Sequence, residues 1–295
     1  MEDFHKLEWS IPQEADGRSV KTYLRQNKKM SGSTWKVLKR DGEIILNNKR
    51  ASGKDGVTYK DLLCVYLPGM PFPEGIPACH LPLDILFEDS HLLIVNKPPG
   101  LPTLPGRGRE AETLAGAVRY YYEKYDIRAS FHAVSRLDRE TSGIVTIAKH
   151  RYAHQRLAAF FDTYSGMKQY IGITDGIWYP SEGVIHAPME RRPDSIVKQH
   201  VSTHGKRAKT GFQVVKRKHG RSMVRFTLYS GRTHQIRVHS AYVGHPIVGD
   251  DLYGMKGRDV ERHALHASRL CIFHPVTEKW QTIEADLPED MENIL

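Results

Sequence analysis

Three short stretches of this 295-residue chain bring together side chains that could do chemistry. In RLDRETSG, Asp138 stands between Arg136 and Arg139 and just ahead of an apolar strand, IVTIAK. Flanking guanidiniums favour the ionised form of a carboxylate, which suits a nucleophile or a base better than a proton donor. A surface ladder of ion pairs would have the same composition. In KQYIG, strand alternation places Lys168, Tyr170 and Gly172 on one face, and the bare Gly172 predicts room for a planar group beside the phenol. Simple core packing of the tyrosine is the alternative. In SGRTHQIR, Thr233 is the expected cap of a helix whose first N–H groups, with Arg232 just before them, favour an anion. A solvated loop arginine is the competing reading there.

Other chemistries lack their residues. No GxGxxG precedes a helix, and Gly205-Lys206 has no glycine five positions upstream, so no nucleotide cofactor is expected. Ser195 and Lys198 match a four-residue SxxK pattern with no companion motif. Among sixteen histidines there is no HExxH, and His234, His239 and His245 fit no zinc spacing, so no metal is expected. Cys64, Cys79 and Cys271 are too few and too scattered for a disulfide framework and read as reduced thiols.

The chain carries 43 Lys and Arg against 34 Asp and Glu, a net charge of +9, with 40% hydrophobic residues. That composition excludes disordered and collagen-like chains and fits about two globular domains. Its longest apolar runs, such as Leu92 to Val95, fall far short of the roughly 20 residues that cross a bilayer. The acidic start MEDFHKLEWSIPQEADGR is unlike an export signal, so a cytoplasmic protein is expected.

Between Arg18 and Arg50 stand ten basic residues and two acids, a local charge of +8. Nearly all the excess charge is thus expected in one segment suited to polyphosphate, although a solvated helix face would look similar. Val20, Tyr23 and Leu24 have helical spacing, and a second helix is expected from Ser33 or Thr34 through Leu38 to a stop at Asp41-Gly42. EIILNN and LLCVYLP read as strands. Prolines at 68, 71, 73, 77 and 82 then interrupt both helix and ladder. The expected division is residues 1–72, a proline-rich linker over 73–82, and a larger domain over 83–295.

In that larger domain the strands expected are HLLIVNK, SGIVTIAK, KQYIGITDG, TGFQVVK, SMVRFTLY and SRLCIFHP. Helices are expected at 112–124, 150–162 and 233–243. Several strands follow one another between Lys168 and Tyr229 with no helix between, which argues against a parallel βαβ sheet. The fold expected is α+β with a mixed, mostly antiparallel sheet.

The stretch RSVKTYLRQNKKMSGSTWKVLKRDGEIILNNKR resembles the S4 RNA-binding domain, which would place Arg18, Lys36, Lys39 and Arg40 on an RNA face. IVNKPPGLPT, HAVSRLDRETSGIVTIAK, KQYIGITDG, GKRAKT and SGRTHQIRVHSAYVGHPIVGDDLYG, in this order, closely resemble the RluA-type pseudouridine synthases. The resemblance runs from Leu83 to the C-terminus, and an S4-like segment in front is the arrangement of the large-subunit ribosomal members. It implies isomerisation of uridine in RNA: the N1 to C1′ bond breaks, the uracil turns, and C5 joins C1′. By motif, Asp138 would be catalytic, Tyr170 would pack on the base and assist proton transfer at C5, Arg232 would pair with Asp138, and Arg136 would hold the flipped nucleotide.

The resemblance also implies no cofactor and an RNA partner that is rRNA or else tRNA; no membrane partner and a monomer are expected. Unpaired RNA loops are the expected targets, because A-form helices hide base edges. A chain beginning near Leu83 is expected to keep the chemistry. The competing class is a non-catalytic RNA-binding assembly factor, and a glycosidase or nuclease would need a carboxylate pair that the sequence does not offer.

Overall fold

The computed structural model describes residues 4–106, 112–163, 167–254 and 260–294. Its N-terminal part is a four-stranded antiparallel sheet carrying two helices. Strand β1 (Phe4–Ser10) alternates so that Leu7 and Trp9 point inward. Short helix α1 (Val20–Thr22) continues through a wider π turn to Asn27, and α2 (Gly32–Asp41) comes next. The α2 cap is Ser31, whose hydroxyl accepts from the Thr34 N–H at 3.1 Å, so the helix starts earlier than its Ser33-Thr34 sequence signal. Strands β2 (Glu43–Leu46) and β3 (Lys49–Arg50) are joined by Asn47 and Asn48, both left-handed, which is the geometry of a two-residue hairpin turn. Strand β4 (Leu62–Pro68) lies between β1 and β2. Ahead of Arg18, residues Phe4–Ser10 are therefore an edge strand of this sheet.

Residues 69–83 form no helix or strand, yet they are pinned to the larger domain. Strands β5 (Asp84–Glu88) and β6 (Leu92–Lys97) lead to α3 (Leu114–Lys124), capped by Thr113. Gly116 of α3 lets the segment close in, since a Cβ there would sit 2.6 Å from the Pro77 carbonyl oxygen. The remaining elements are β7 (His132–Ala133), β8 (Ser142–Ala148), α4 (Arg151–Thr163), β9 (Lys168–Asp175), β10 (Glu182–His186), β11 (Met189–Arg191), β12 (Gln199–Val201), β13 (Lys209–Lys218) and β14 (Arg221–Leu228), then α5 (Gln235–Tyr242), β15 (Leu265–Phe273), β16 (Trp280–Glu284) and α6 (Glu289–Glu292).

The large sheet has ten strands in the order β10-β13-β14-β9-β15-β8-β6-β5, with β16 on β15 and β7 on β8. Among the described residues only β8 and β15 pair in parallel, so the fold is α+β with a mixed, mostly antiparallel sheet. Leu92 to Val95 are all fully buried, which is why β6 reads as an unbroken apolar run and not an alternating one. Each such side chain contributes about 1.5–3 kcal/mol of burial. The N-terminal core takes Tyr152 of α4 and Val276 from the larger part, so the two sheets share packing. Among the described residues no helix is long and apolar enough to cross a membrane.

Candidate active site

Asp138 lies in the loop between β7 and β8, and buried side chains fix that loop from beneath. Lys97, fully buried at the end of β6, donates to the carbonyls of Pro98 and Leu101 at 2.8 Å and of Arg139 at 2.9 Å. Burial lowers its pKa to about 7. The Thr103 hydroxyl donates to the Leu137 carbonyl at 3.2 Å, and Arg262 donates to the Glu140 carbonyl at 3.0 Å. The Thr141 hydroxyl meets His263 Nε2 at 2.7 Å, and burial keeps that imidazole neutral, with its pKa lowered to about 3. Gly143, at φ +108°, brings this backbone against Ala267 of β15, where any Cβ would collide.

Above this base the Asp138 carboxylate is partly open, with 28% of its side chain exposed. Its Oδ2 accepts from Arg237 Nη1 at 3.1 Å. Arg237 is buried in α5 and also donates through Nε and Nη2 to Asp250, at 2.7 and 2.8 Å. Burial disfavours both charges, yet each partner outweighs it, so the Asp250 pKa is lowered and that of Arg237 raised. A buried bidentate pair of this kind orients the third donor, Nη1, at Asp138.

His234 is the second neighbour, with Nε2 at 3.7 Å from Asp138 Oδ2. The Tyr253 hydroxyl accepts from the Gln199 N–H at 2.8 Å, which directs its own proton to His234 Nδ1, also at 2.8 Å. That pattern assigns the imidazole proton to Nε2, facing Asp138. Burial lowers the His234 pKa, with the Asp138 charge opposing, so the ring is neutral near pH 7. His234 sits in the left-handed region at φ 56°, a strain that costs about 1–2 kcal/mol and is found where surroundings over-determine a residue.

Tyr170 of β9 stands between Phe226 of β14 and Ala267 of β15 and is almost wholly buried. Burial first, and the Asp138 charge second, raise its pKa, so the phenol keeps its proton. Its hydroxyl has no hydrogen-bond partner among the described residues.

Several sequence expectations change here. The space beside Gly172 is already filled: a Cβ there would lie 2.8 Å from the Phe226 ring and 3.1 Å from Ile247. The planar group in that place belongs to the core. Arg232 is not the partner of Asp138; its Nε donates to the Arg207 carbonyl at 3.2 Å, and Arg237, five residues on, takes that position. Thr233 does not cap α5, whose preceding residue is His234, while Gln235 Oε1 accepts the Arg232 N–H at 3.0 Å. Arg136 is exposed and unpaired among the described residues.

On α2, Lys36 and Lys39 are exposed with no ion pair among the described residues, but Arg40 is chelated by Asp41 at 2.7–2.9 Å. Arg18 donates to Asn27 at 3.0 Å. Sequence reading missed Arg237, His234, Tyr253, Asp250 and Lys97. The helical phase of QIRVHSAY, which turns Arg237 toward the buried side, was a signal available for the first.

The family described as RNA pseudouridylate synthase matches residues 91–242. The chain is 37% identical over 254 residues to the uncharacterized RNA pseudouridine synthase YjbO of Bacillus subtilis strain 168, covering 86% of this chain and 90% of that protein. It is 35% identical to the ribosomal large subunit pseudouridine synthase D of Zymomonas mobilis, over 79% of this chain and 77% of that one. The solved structure of human RNA pseudouridylate synthase domain containing 1 superposes with a TM-score of 0.58 at 25% identity, covering 74% of this chain and 86% of that one.

Proposed function

The chain belongs to the RNA pseudouridylate synthase family and is an isomerase acting on RNA, and from that premise we propose that Asp138 opens the N1 to C1′ bond of a uridine in large-subunit ribosomal RNA. The observation that carries this reading is the half-open Asp138 carboxylate, held through one oxygen by buried Arg237 while the other accepts no hydrogen bond among the described residues. Asp138 acts on the ribose, as nucleophile at C1′ or as base at C2′. The freed uracil turns, C5 bonds to C1′, C5 loses its proton and N1 gains one. Nothing is oxidised and no water is consumed, so the reaction needs neither metal nor cofactor.

Tyr170 packs against the base. Because its phenol stays protonated, it takes part in proton transfer at C5 by relay through the hydroxyl and not as a phenolate. Exposed Arg136 stacks where the flipped base leaves a gap, offsetting an unstacking cost of a few kcal/mol. Arg232, lying at the rim on the Arg207 carbonyl, serves the RNA backbone.

Residues 1–72 act as an S4-like RNA-binding domain, followed by the linker 73–82 and the catalytic domain 83–295. Lys36 and Lys39 are its phosphate contacts, with Arg18 and Arg40 already engaged within the chain. The large-subunit target is supported by the names of relatives such as the Zymomonas mobilis synthase D, and on this reading the protein works as a monomer in the cytoplasm.

The test is to map pseudouridines in rRNA and tRNA from cells with the intact protein, without it, and with Asp138→Asn. Loss of one or a few rRNA sites in the last two supports the proposal. Sites lost only from tRNA move the substrate, and sites kept by Asp138→Asn make the protein a non-catalytic assembly factor at that RNA.

A further inference from the structure

Acidic residues are missing from one long stretch of the chain. Between Asp194 and Asp250 there are eleven Lys and Arg and no Asp or Glu. The resulting +11 exceeds the +8 of Arg18 to Arg50, which corrects the expectation that the N-terminal segment holds nearly all the excess. Arg237 and Arg232 of this stretch belong to the site already described. Most of the remaining cations decorate the β13–β14 ribbon.

A bulge puts the ribbon's cations on one face, Arg217 excepted. Gln213 pairs with Arg225 and Val214 with Val224, then the register slips by one so that Lys216 pairs with Met223. Partners across a ladder share a face. The extra residue, Val215, therefore turns Lys216 to the side of Gln213 and Arg225, where uninterrupted alternation would have turned it away. The other face, with Ser222, Val224 and Phe226, is buried, and Arg217, the partner of Ser222, leaves from that side to reach the 178–181 segment at the hairpin end.

Aromatic rings mark both ends of the ribbon. At the site end, the Tyr229 ring lies on bare Gly211, where a Cβ would be 3.0 Å from its Cε2, and Lys209 Nζ is 4.7 Å from the ring centre. At the hairpin end Tyr179 is 80% exposed with the Arg217 guanidinium 5.2 Å from its ring. Arg217 is held by the Trp178 carbonyl at 3.0 Å and Ser181 Oγ at 2.8 Å. The nearby acids are Glu182, opposite Gln213 on β10, and Asp175, 3.7 Å from Arg221. On the outward face Lys209 to Lys216 spans about 20–25 Å of strand, enough for several nucleotides. Tyr229 directly precedes the Ser230–His234 loop, so the strip is continuous with the site.

We propose that the outward face of the β13–β14 ribbon is a second RNA-contact surface, which carries a single-stranded flank of the substrate from the site loop at Tyr229 along its cations and round the hairpin end to the exposed Tyr179. Cations spaced along a strand with aromatic rings at intervals are the arrangement that tracks a phosphate backbone and stacks bases without reading sequence. A duplex would use the charge but not the rings. The proposal rests on the RNA reading of the site. Its readout is affinity, so its failure is distinguishable from failure of the catalytic reading, which Asp138→Asn tests.

The experiment titrates full-length protein into fluorescein-labelled 15-nucleotide oligouridine and, separately, a blunt 15-base-pair RNA duplex, following anisotropy over a range of salt concentrations. Tyr179→Ala with Tyr229→Ala is expected to weaken oligouridine binding about tenfold or more and duplex binding by less than about twofold, while the paired Phe variants bind as the unaltered protein does, since the ring is kept. Lys216→Ala with Arg225→Ala is expected to lower the oligouridine salt slope by about 1.4, or about 0.7 per lost contact. The lysine and arginine variant keeps the test valid should the tyrosine variant fold poorly. Unchanged oligouridine affinity and slope in both double variants would overturn the proposal, and so would equal losses on oligouridine and duplex.

Discussion

Arg237 reaches Asp138 through a single nitrogen, 3.1 Å from Oδ2, while Asp250 holds the rest of its guanidinium from behind. The Asp250 carboxylate also accepts the N–H groups of Leu252 and Tyr253, so it is fixed in turn by the backbone. Orientation at Asp138 is thus transmitted from the loop after α5, across a pair with almost no solvent access. A planar fork can serve two carboxylates in this way, and a lysine ammonium cannot.

Arg237→Lys should therefore keep the charge and lose the geometry. We expect turnover to fall about 100-fold or more, with destabilisation of about 3–5 kcal/mol from the poorly paired Asp250. Because the folded Asp250 pKa is lowered, this pair stabilises the protein above the unfolded carboxylate range and is lost as pH falls below about 4. Single-turnover pseudouridine formation and urea melts at pH 7 and pH 4 test this. Near-normal turnover in Arg237→Lys would remove the fork from the argument.

The chain of donors from Gln199 through Tyr253 to His234 makes a separate prediction. Tyr253→Phe frees His234 Nδ1 and lets the ring take the other tautomer, turning an unprotonated Nε2 toward Asp138. Turnover should fall about 10-fold with little change in KM, and His234→Gln should give a similar loss. A KM effect alone in both variants would mark the pair as a substrate contact and not a positioning device.

These relationships set the limit of what the sequence could say. The strands at KQYIGITDG, SGIVTIAK and LLCVYLP and the helices α3 and α4 were legible because each buries one regular face or a continuous apolar run. Strand β1 was hidden because Lys6 and Glu8 occupy its solvent face and only Leu7 and Trp9 its core. Asp138 and Tyr170 could be found in their motifs, but the choice between Arg232 and Arg237 depends on the helical phase after His234. Asp250 becomes relevant only through a contact thirteen residues away, and Val215 matters through a register slip that no alternation pattern announces.

A histidine cluster where the two sheets meet predicts acid lability. The ring of His5 of β1 lies tilted 4.7 Å from that of His150, and His91 Nδ1 lies 3.0 Å from His150 Nε2. Burial lowers the pKa of His5, His91 and His132 to about 4, and that of His150 also, with neighbouring histidines and Lys149 adding to the effect on His5. Unfolded histidines titrate near 6.5, so from about pH 6.5 down to about 4 the unfolded chain takes up protons that the native state refuses. Stability should fall through that window and level off below it, apart from carboxylate losses at still lower pH. Melting temperatures between pH 7.5 and 4.5 should show the decline, and His5→Phe should make it shallower. An unchanged slope in the variant would separate the cluster from acid sensitivity.

The last prediction concerns the N-terminal sheet, whose removal the sequence had suggested would spare the chemistry. Tyr152 of α4 is fully buried within the N-terminal core, packs edge-on to Trp9 at 5.8 Å, and donates to the Lys28 carbonyl at 2.9 Å. Gln155 bridges Lys29 and Ser31, Lys28 pairs with Glu278 at 2.7 Å, and Trp9 Nε1 donates to the Val276 carbonyl at 3.3 Å. A chain starting at residue 69 would bare Tyr152 and Val276, about 3–6 kcal/mol of burial at roughly 1.5–3 kcal/mol for each side chain. For a domain of this size that lowers the melting temperature by roughly 10–20 °C. We expect such a chain to isomerise a minimal stem-loop at 15 °C and to lose activity near 37 °C, while full-length Lys36→Ala with Lys39→Ala melts normally and only binds RNA more weakly. Equal melting temperatures for the shortened and full-length chains would mean that the two sheets merely touch, and the N-terminal sheet would then act through RNA alone.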